Sequence, residues 1–343
     1  MKTNVNPIIR FTDLFCGIGG FRVAMEQVCA ENSVTPLCEF SSDIDPDAQR
    51  AYHANFGELP AGDITQIAEE DIPPHDILFA GFPCQPFSIC GDGKGFDDTR
   101  GTLFFDIARI LAVQKPQAFV LENVKRLRGH NEGKTLARIL ETLRELGYHT
   151  DYRVLNALDF GVPQKRERIF IVGFRQAVDF VWPDAGIPMT PLAAILDPNP
   201  ADFYRASEKI RENRQAKRLN KPKHQEPTIW HENKAGNVSA YPYSCALRAG
   251  ASYNYLLVDG ERRLTEREML RLQGFPDRYQ IACSYQATRK QAGNSVAVPC
   301  VAAVLREVFR AMGWGLSAEA AAVGQLSLGL NQTEADYVVR GIE

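Results

Sequence analysis

Two side chains in this sequence pair the chemistry of a thiol nucleophile with that of a carboxylic acid: Cys84 and Glu122. Cys84 stands in DILFAGFPCQPFS (Asp76 to Ser88), just after the apolar run Ile77, Leu78, Phe79 and Ala80. Such a run reads as a buried strand, and Pro83 and Pro86 stop its ladder and fix the backbone where a side chain leaves the sheet edge. Glu122, in LENV, follows a second apolar run, Ala118 to Leu121, and so falls at the end of another strand. A thiol and a carboxyl at one sheet edge stand where open α/β sheets bind and react their ligands. A cysteine alone is more often a small buried hydrophobe. The flanking prolines and the glycine-rich stretch Gly91 to Gly101 (GDGKGFDDTRG), suited to a mobile lid, favour the reactive reading.

DLFCGIGGF (Asp13 to Phe21) is a strand entering a glycine-rich turn and then a helix. Gly17, Gly19 and Gly20 let the backbone pass close to a ligand, and a helix N-terminus offers amide donors. A turn of this kind also serves as a plain structural connection, and it does not match the dinucleotide pattern GxGxxG. Asp43, in SSDIDP, closes the next strand, where a carboxylate accepts hydrogen bonds from ribose hydroxyls, and Asp63, in GDIT, ends the next candidate strand. Three strand ends of this kind favour a nucleoside-bearing cofactor. QKRERIF (Gln164 to Phe170) gathers Lys165, Arg166 and Arg168 at a strand entrance. By themselves these are a solvated face; turned toward a thiol and a carboxyl they suit an anionic substrate.

The elements that would carry these groups alternate as in an α/β fold with a doubly wound, mostly parallel sheet. Strands are predicted at Ile8 to Phe15, Leu37 to Ser42, Asp76 to Ala80, Ala118 to Leu121 and Arg168 to Phe174. Helices are predicted at Gly20 to Cys29, Pro46 to Phe56, Leu103 to Val113 and Thr135 to Leu146. From about Pro183 prolines multiply and the alternation stops, and Arg205 to Lys223 carries eight Lys or Arg against two Glu. A helix opened by Thr265 spans Leu264 to Leu272 and ends near Gly274 and Pro276. Gly293 to Phe309 resumes a strand-like, then helical, pattern that rejoins the first part, and the tail from Gly324 is polar.

With 343 residues, ordinary apolar and charged fractions and a formal net charge of −3, the chain is globular, with room for one large domain and a smaller one. The total charge does not suggest nucleic acid; local charge decides that. No signal pattern opens the chain and no apolar run approaches the roughly 18 residues of a membrane span, so a cytoplasmic setting with reduced thiols is the expectation. Eight scattered cysteines without a CxxC pair or nearby histidine pattern indicate neither a metal site nor a disulfide framework.

Six motifs, in order along the chain, resemble those of the DNA cytosine-5 methyltransferases. DLFCGIGGF is similar to the family's cofactor loop, GFPCQPFS to its nucleophile loop, ENV to its acid motif and QKRERIF to its basic motif. RRLTEREMLRLQGFPDRY (Arg262 to Tyr279) and QAGNSVAVP (Gln291 to Pro299) resemble its two closing segments. The resemblance implies a methyltransferase fold with S-adenosyl-L-methionine as cofactor, no metal, and a smaller, irregular target-recognition domain. Catalytic and cofactor-binding residues would lie in 1–180, completed by 288–323, with the recognition domain in 181–287 and a tail in 324–343. Sequence specificity would concentrate between Val181 and Glu261.

Carried over residue by residue, it implies Cys84 as nucleophile, Glu122 as the group that holds and protonates the base, and Arg166 and Arg168 as anion-binding partners. Asp13, Phe15, Gly17, Gly19, Gly20, Asp43, Ile44, Asp63, Ile64, Leu103, Asn294 and Val296 would surround the cofactor. Ser88, Arg100, Arg248 and Gly250 would meet double-stranded DNA, with SCALRAGASYN (Ser244 to Asn254) as the recognition loop. Three positions depart from the pattern. Ile44 stands where relatives often place an aromatic residue against adenine, Ala246 where they usually carry threonine, and Cys90 where a small polar residue is common. A monomer, and a restriction endonuclease acting on the same site, complete the expectation. The same chemistry on RNA and a silent DNA-binding protein of this fold are the alternatives; the glycine pattern disfavours a dehydrogenase.

Overall fold

The computed structural model describes residues 6–83, 103–218 and 227–315. In chain order the larger part contains β1 (Ile8–Leu14), α1 (Gly20–Glu31), β2 (Thr35–Ser42), α2 (Pro46–Phe56), β3 (Ile77–Gly81), α3 (Leu103–Gln114), β4 (Ala118–Val124), α4 (Lys134–Glu145), β5 (His149–Asn156), the two-residue β6 (Gln164–Lys165) and β7 (Glu167–Phe174). Among the described residues β1 to β5 and β7 form a six-stranded sheet in the order β2-β1-β3-β4-β7-β5. β2, β1, β3 and β4 run parallel, and β7 is antiparallel to both of its neighbours.

β3 and the start of β4 are apolar without alternation because helices cover both faces of the sheet. On one face Phe11, Phe79, Val120 and Val172 pack with Phe21 and Met25 of α1. On the other, Leu78, Phe119, Leu121 and Ile171 pack with Ile107 and Leu111 of α3 and Ile139 and Leu143 of α4. Local signals set the helix ends. Asp45 accepts a hydrogen bond from the amide of Asp47 (3.0 Å) to open α2, with Pro46 in its first turn, and Gly57 closes it at φ 76°.

The smaller part begins with the short α5 (Leu192–Ile195) and α6 (Glu208–Ala216). β8 (Ile229–Glu232) then pairs antiparallel with β9 (Val238–Tyr241) and β11 (Leu256–Val258), while β10 (Ser244–Cys245) runs beside β6. Leu192, Ile195, Ile229, Leu256 and Val258 form a core of their own with Met269 and Leu272 of α7 (Glu266–Leu272). A reciprocal capping box between Thr265 and Glu268 opens α7, as the sequence suggested. The chain returns to the larger core at Leu270, Phe275 and Tyr279, whose hydroxyl donates to the carbonyl of Ile18 at 2.9 Å. It then finishes with α8 (Tyr285–Asn294) and α9 (Val298–Met312), which packs with α1.

Three sequence expectations change. Asp63 ends no strand: Ala61 makes a single bridge to Ser42, and Asp63 caps a short 3-10 turn, Ile64–Gln66, by accepting from the amide of Thr65. The segment from Gly293 does not begin as a strand; Ser295 to Ala297 joins two helices, and its apolar pattern reflects burial at that joint. β5 offers no apolar run to read, because among the described residues it is an edge strand and its residues are largely polar.

Candidate active site

At the C-terminal ends of β1, β3 and β4 lies a cavity of about 490 Å³. Its first wall is the turn after β1. Phe15 and Gly17 both take left-handed backbone (φ 54° and 55°), and Phe15, Gly17 and Gly20 line the space. Asp43, just past β2, holds that turn. Its Oδ2 accepts from the amide of Gly17 and its Oδ1 from the amide of Asp45, both at 2.8 Å. Burial pushes the Asp43 carboxyl upward, and the two amides draw it back. Ile44, 71 % exposed, stands at the mouth with buried Ile64 and with Asp63 and Leu103 on the same wall.

The opposite wall is the end of α8 and the joint that follows. Gly20 allows this joint to approach, since a Cβ there would lie 2.6 Å from Val296 Cγ2 and 2.9 Å from Ser295 Oγ. Lys290 reaches from α8 to the cap of α2, with Nζ 2.7 Å from Asp45 Oδ2, so an ion pair spans the rim.

The floor belongs to β3, β4 and β7. Gly81, Glu122 and Phe170 stand in one row across the three strands, and Arg168 sits diagonally from Glu122. Arg168 Nε lies 3.1 Å from Glu122 Oε1, an ionic contact without good hydrogen-bond alignment. Glu122 is 8 % exposed, and burial pushes its carboxyl above the usual range against the pull of Arg168 and Arg166. Its neighbour Asn123 donates to the carbonyl of Phe82 at 2.8 Å, fixing the chain one residue before Pro83, which lines the cavity.

Arg166 sits differently from the expectation of an anion-binding side chain. Although it borders the cavity it is almost fully buried, and its guanidinium donates to three carbonyls: Leu247 (3.1 Å), Gly293 (3.2 Å) and Ser295 (2.5 Å). Gln164 extends the web, accepting from the amide of Leu247 (2.9 Å) and donating to the carbonyl of Leu272 (2.8 Å). Gln273 completes it by donating to the carbonyl of Ala292 (2.5 Å). The basic motif thus joins the sheet, the smaller part and the α8–α9 joint.

Of the cofactor residues named from the sequence, Phe15, Gly17, Gly20, Asp43, Ile44, Asp63, Ile64, Leu103, Asn294 and Val296 share the cavity wall. Asp13 and Gly19 do not. Asp13 lies fully buried inside β1, with neither carboxyl oxygen hydrogen-bonded. Gly19 is needed for packing: it precedes α1 at φ 78°, and a Cβ there would meet the Phe56 ring at 2.3 Å. Cys84, Ser88, Cys90, Arg100 and the glycine-rich stretch Gly91 to Gly101 lie outside the described residues. Sequence reasoning missed Lys290, Ser295 and Asn123 on the wall, although ENV and QAGNSV had already been singled out.

On the smaller part, Arg248 and Gly250 are exposed, and the Arg248 guanidinium rests 4.8 Å from the Tyr255 ring centre. The basic stretch from Arg205 is less available than its composition suggests. Arg211 pairs with Glu261, Arg214 is buried against Glu232, and Arg218 covers the Trp230 ring. Arg205, Lys209 and Lys217 stay exposed.

Comparison with known proteins follows the same lines. Residues 9–310 match the family model described as C-5 cytosine-specific DNA methylase. The type II methyltransferase M.NgoBI of Neisseria gonorrhoeae is 55 % identical over 294 residues, covering 85 % of this chain and 90 % of that protein. M.HaeII of Haemophilus aegyptius, also a type II methyltransferase, is 51 % identical over 303 residues, 88 % and 92 % of the two chains. Among solved structures, the Dnmt2 methyltransferase of S. pombe shares the fold, with a TM-score of 0.65 at 19 % identity, over 89 % of this chain and 99 % of that one. A match across nearly the whole described chain, at more than half identity to one relative, assigns the family: this protein belongs to the C-5 cytosine-specific DNA methylases, a DNA (cytosine-5)-methyltransferase whose methyl donor is S-adenosylmethionine.

Proposed function

We propose that Cys84 and Glu122 act on one cytosine, flipped out of double-stranded DNA, at the floor of this cavity. The observation that carries the reading is that one continuous space holds both a buried, ionically supported Glu122 and the glycine turn after β1, with Pro83, the residue before Cys84, on its wall. In this reading the Cys84 thiolate bonds to ring carbon-6, and Glu122 donates a proton to ring nitrogen-3 as electron density shifts toward carbon-5. S-adenosylmethionine supplies an electrophilic methyl group that carries its own leaving group, so carbon-5 takes the methyl without a metal. A base removes the carbon-5 proton, the carbon–sulfur bond breaks to return the thiolate, and ring nitrogen-3 gives its proton back to Glu122. Arg168 keeps the Glu122 carboxyl oriented, and flipping costs a few kcal/mol because carbon-6 is inaccessible in a stacked duplex.

The cavity suits the cofactor on its own geometry. Its backbone turn would hold the amino-acid end at Phe15, Gly17 and Gly20, Asp43 and Asp63 would flank the sugar, and exposed Ile44 with Ile64 would offer an aliphatic surface to the adenine. Asn294, at the end of α8, and Val296, in the joint that follows, close the space. Within 181–287 we assign sequence recognition, with Arg248 and Gly250 in the groove and Ser88 and Arg100 contacting DNA beside the target base. A restriction endonuclease sharing the site, a monomeric state and a cytoplasmic setting complete the proposal; among the described residues no helix is long and apolar enough to cross a membrane.

Duplex DNA carrying 5-fluorocytosine tests the mechanism. Wild-type enzyme with S-adenosylmethionine should form a denaturation-resistant adduct, and Cys84→Ala should form none and methylate nothing. Turnover by that variant, or methylation of RNA in preference to DNA, would overturn the assignment.

A further inference from the structure

The segment Ala246 to Ser252 forms neither helix nor ladder, yet side chains grip its backbone at almost every step. Gln164 and Arg166 hold Leu247 by its amide and carbonyl. Tyr255 Oη accepts from the amide of Arg248 at 2.9 Å. The far limb depends on one residue. Arg289, on the first turns of α8, donates one guanidinium nitrogen to the carbonyl of Ala249 (3.4 Å) and the other to the carbonyl of Ala251. Its guanidinium also covers the Tyr253 ring at 4.6 Å, and Tyr253 stacks on Tyr285 at the start of the same helix. The backbone bond within this limb, from the Ala251 amide to the Arg248 carbonyl, is long at 3.4 Å.

We infer that Arg289 is a positioning residue for sequence discrimination, acting through Arg248. The inference rests on the reading of Ser244 to Asn254 as the recognition loop. A guanidinium distinguishes a guanine by two parallel hydrogen bonds, which requires its backbone to be fixed in place and direction. Arg289 supplies that constraint between Ala249 and Ala251, directly after the residue that reads. Its planar fork spans two carbonyls, where a lysine at the same position offers a single nitrogen. Arg289 is not part of the cavity wall that would hold the cofactor.

The test begins with the wild-type enzyme, S-adenosylmethionine and a randomised duplex library read by bisulfite sequencing, which defines the preferred site. kcat/KM is then measured on that site and on its single-base-pair variants for wild type, Arg248→Ala, Arg289→Ala, Arg289→Lys and the double alanine variant, with S-adenosylmethionine affinity measured in parallel. Arg289→Ala should lose about tenfold of the preference at the same base pair that Arg248→Ala relaxes. Arg289→Lys should fall between, and the double variant should be no less selective than Arg248→Ala alone. Should Arg289→Ala fail to fold, Arg289→Lys carries the same comparison. Undiminished preference in a folded Arg289 variant while Arg248→Ala relaxes it, or additive losses in the double variant, would overturn the role of Arg289 alone. Undiminished preference in Arg248→Ala would remove the recognition-loop reading itself.

Discussion

The side-chain amide of Asn123 donates to the carbonyl of Phe82 at 2.8 Å, tying the end of β4 to the chain that leaves β3 just before Pro83 and Cys84. The neighbouring Glu122 is therefore braced beside the exit that leads to Cys84, the proposed nucleophile. Asn123→Ala leaves that carbonyl without its donor. Loss of a buried partner of this kind costs about 1–3 kcal/mol. Chemical denaturation should register that loss, and single-turnover methylation should slow by about tenfold or more.

Glu122→Gln keeps the shape of the side chain and removes its proton. The rate should fall by ~10²–10⁴, the usual worth of a general acid or base. Because burial raises the Glu122 carboxyl, its acid form persists above the ordinary range, and the wild-type rate should decline as pH rises through the shifted value. That limb of the kcat/KM profile should be missing in Glu122→Gln.

Asp13 gives a pH dependence of stability rather than of rate. Burial raises its carboxyl to about 8, with Arg22 opposing and Asp43 adding to the shift. The folded protein therefore binds a proton that the unfolded chain releases near pH 4, so stability falls as pH rises between about 4 and about 8 and levels off above that. Asp13→Asn should flatten this slope and gain stability at pH 8 relative to wild type. Urea midpoints measured at pH 5, 6.5 and 8 for both proteins would check it; parallel slopes would count against the buried carboxyl as their source.

Gly293 faces backbone. A Cβ there would lie 2.3 Å from the Ala249 amide nitrogen and 2.7 Å from the Arg248 carbonyl carbon, atoms that cannot swing aside as a side chain would. Gly293→Ala should destabilise the protein by about 1–3 kcal/mol, the range for forced overpacking, and should weaken discrimination between DNA sequences. Thermal midpoints together with library methylation would measure both effects.

Much of this arrangement is legible in the chain itself. Unbroken apolar runs before GFPC and LENV identify β3 and β4 because the sheet is covered on both sides, and the bounds of α2 follow from Asp45, Pro46 and Gly57. Of the twelve positions that the motif resemblance implies for the cofactor, ten line one cavity. What stayed hidden was partnership across distance. QKRERIF reads as surface charge or an anion site, and nothing local reveals that the Arg166 guanidinium meets carbonyls 81, 127 and 129 residues away. The cations after Arg205 read as free because their partners lie later in the chain, Glu232 in β8 and Glu261 in the turn after β11. Asp13 heads the glycine motif and so reads as a ligand, whereas it lies within a strand covered on both faces and is fully buried.

The amide and guanidinium web of Gln164, Arg166 and Gln273 sets terms for building hybrid enzymes. A transplant cut at Val181 and Glu261 imports a foreign loop at Leu247 while leaving its anchors, at 164, 166 and 289, in the recipient. Such a hybrid inherits letters without the frame that holds them in line. Exchanges whose boundaries carry the anchors and their acceptors along, from Gln164 through Ser295, keep donor carbonyls opposite donor side chains, and one seam then runs along β7, between the recipient's β4 and β5.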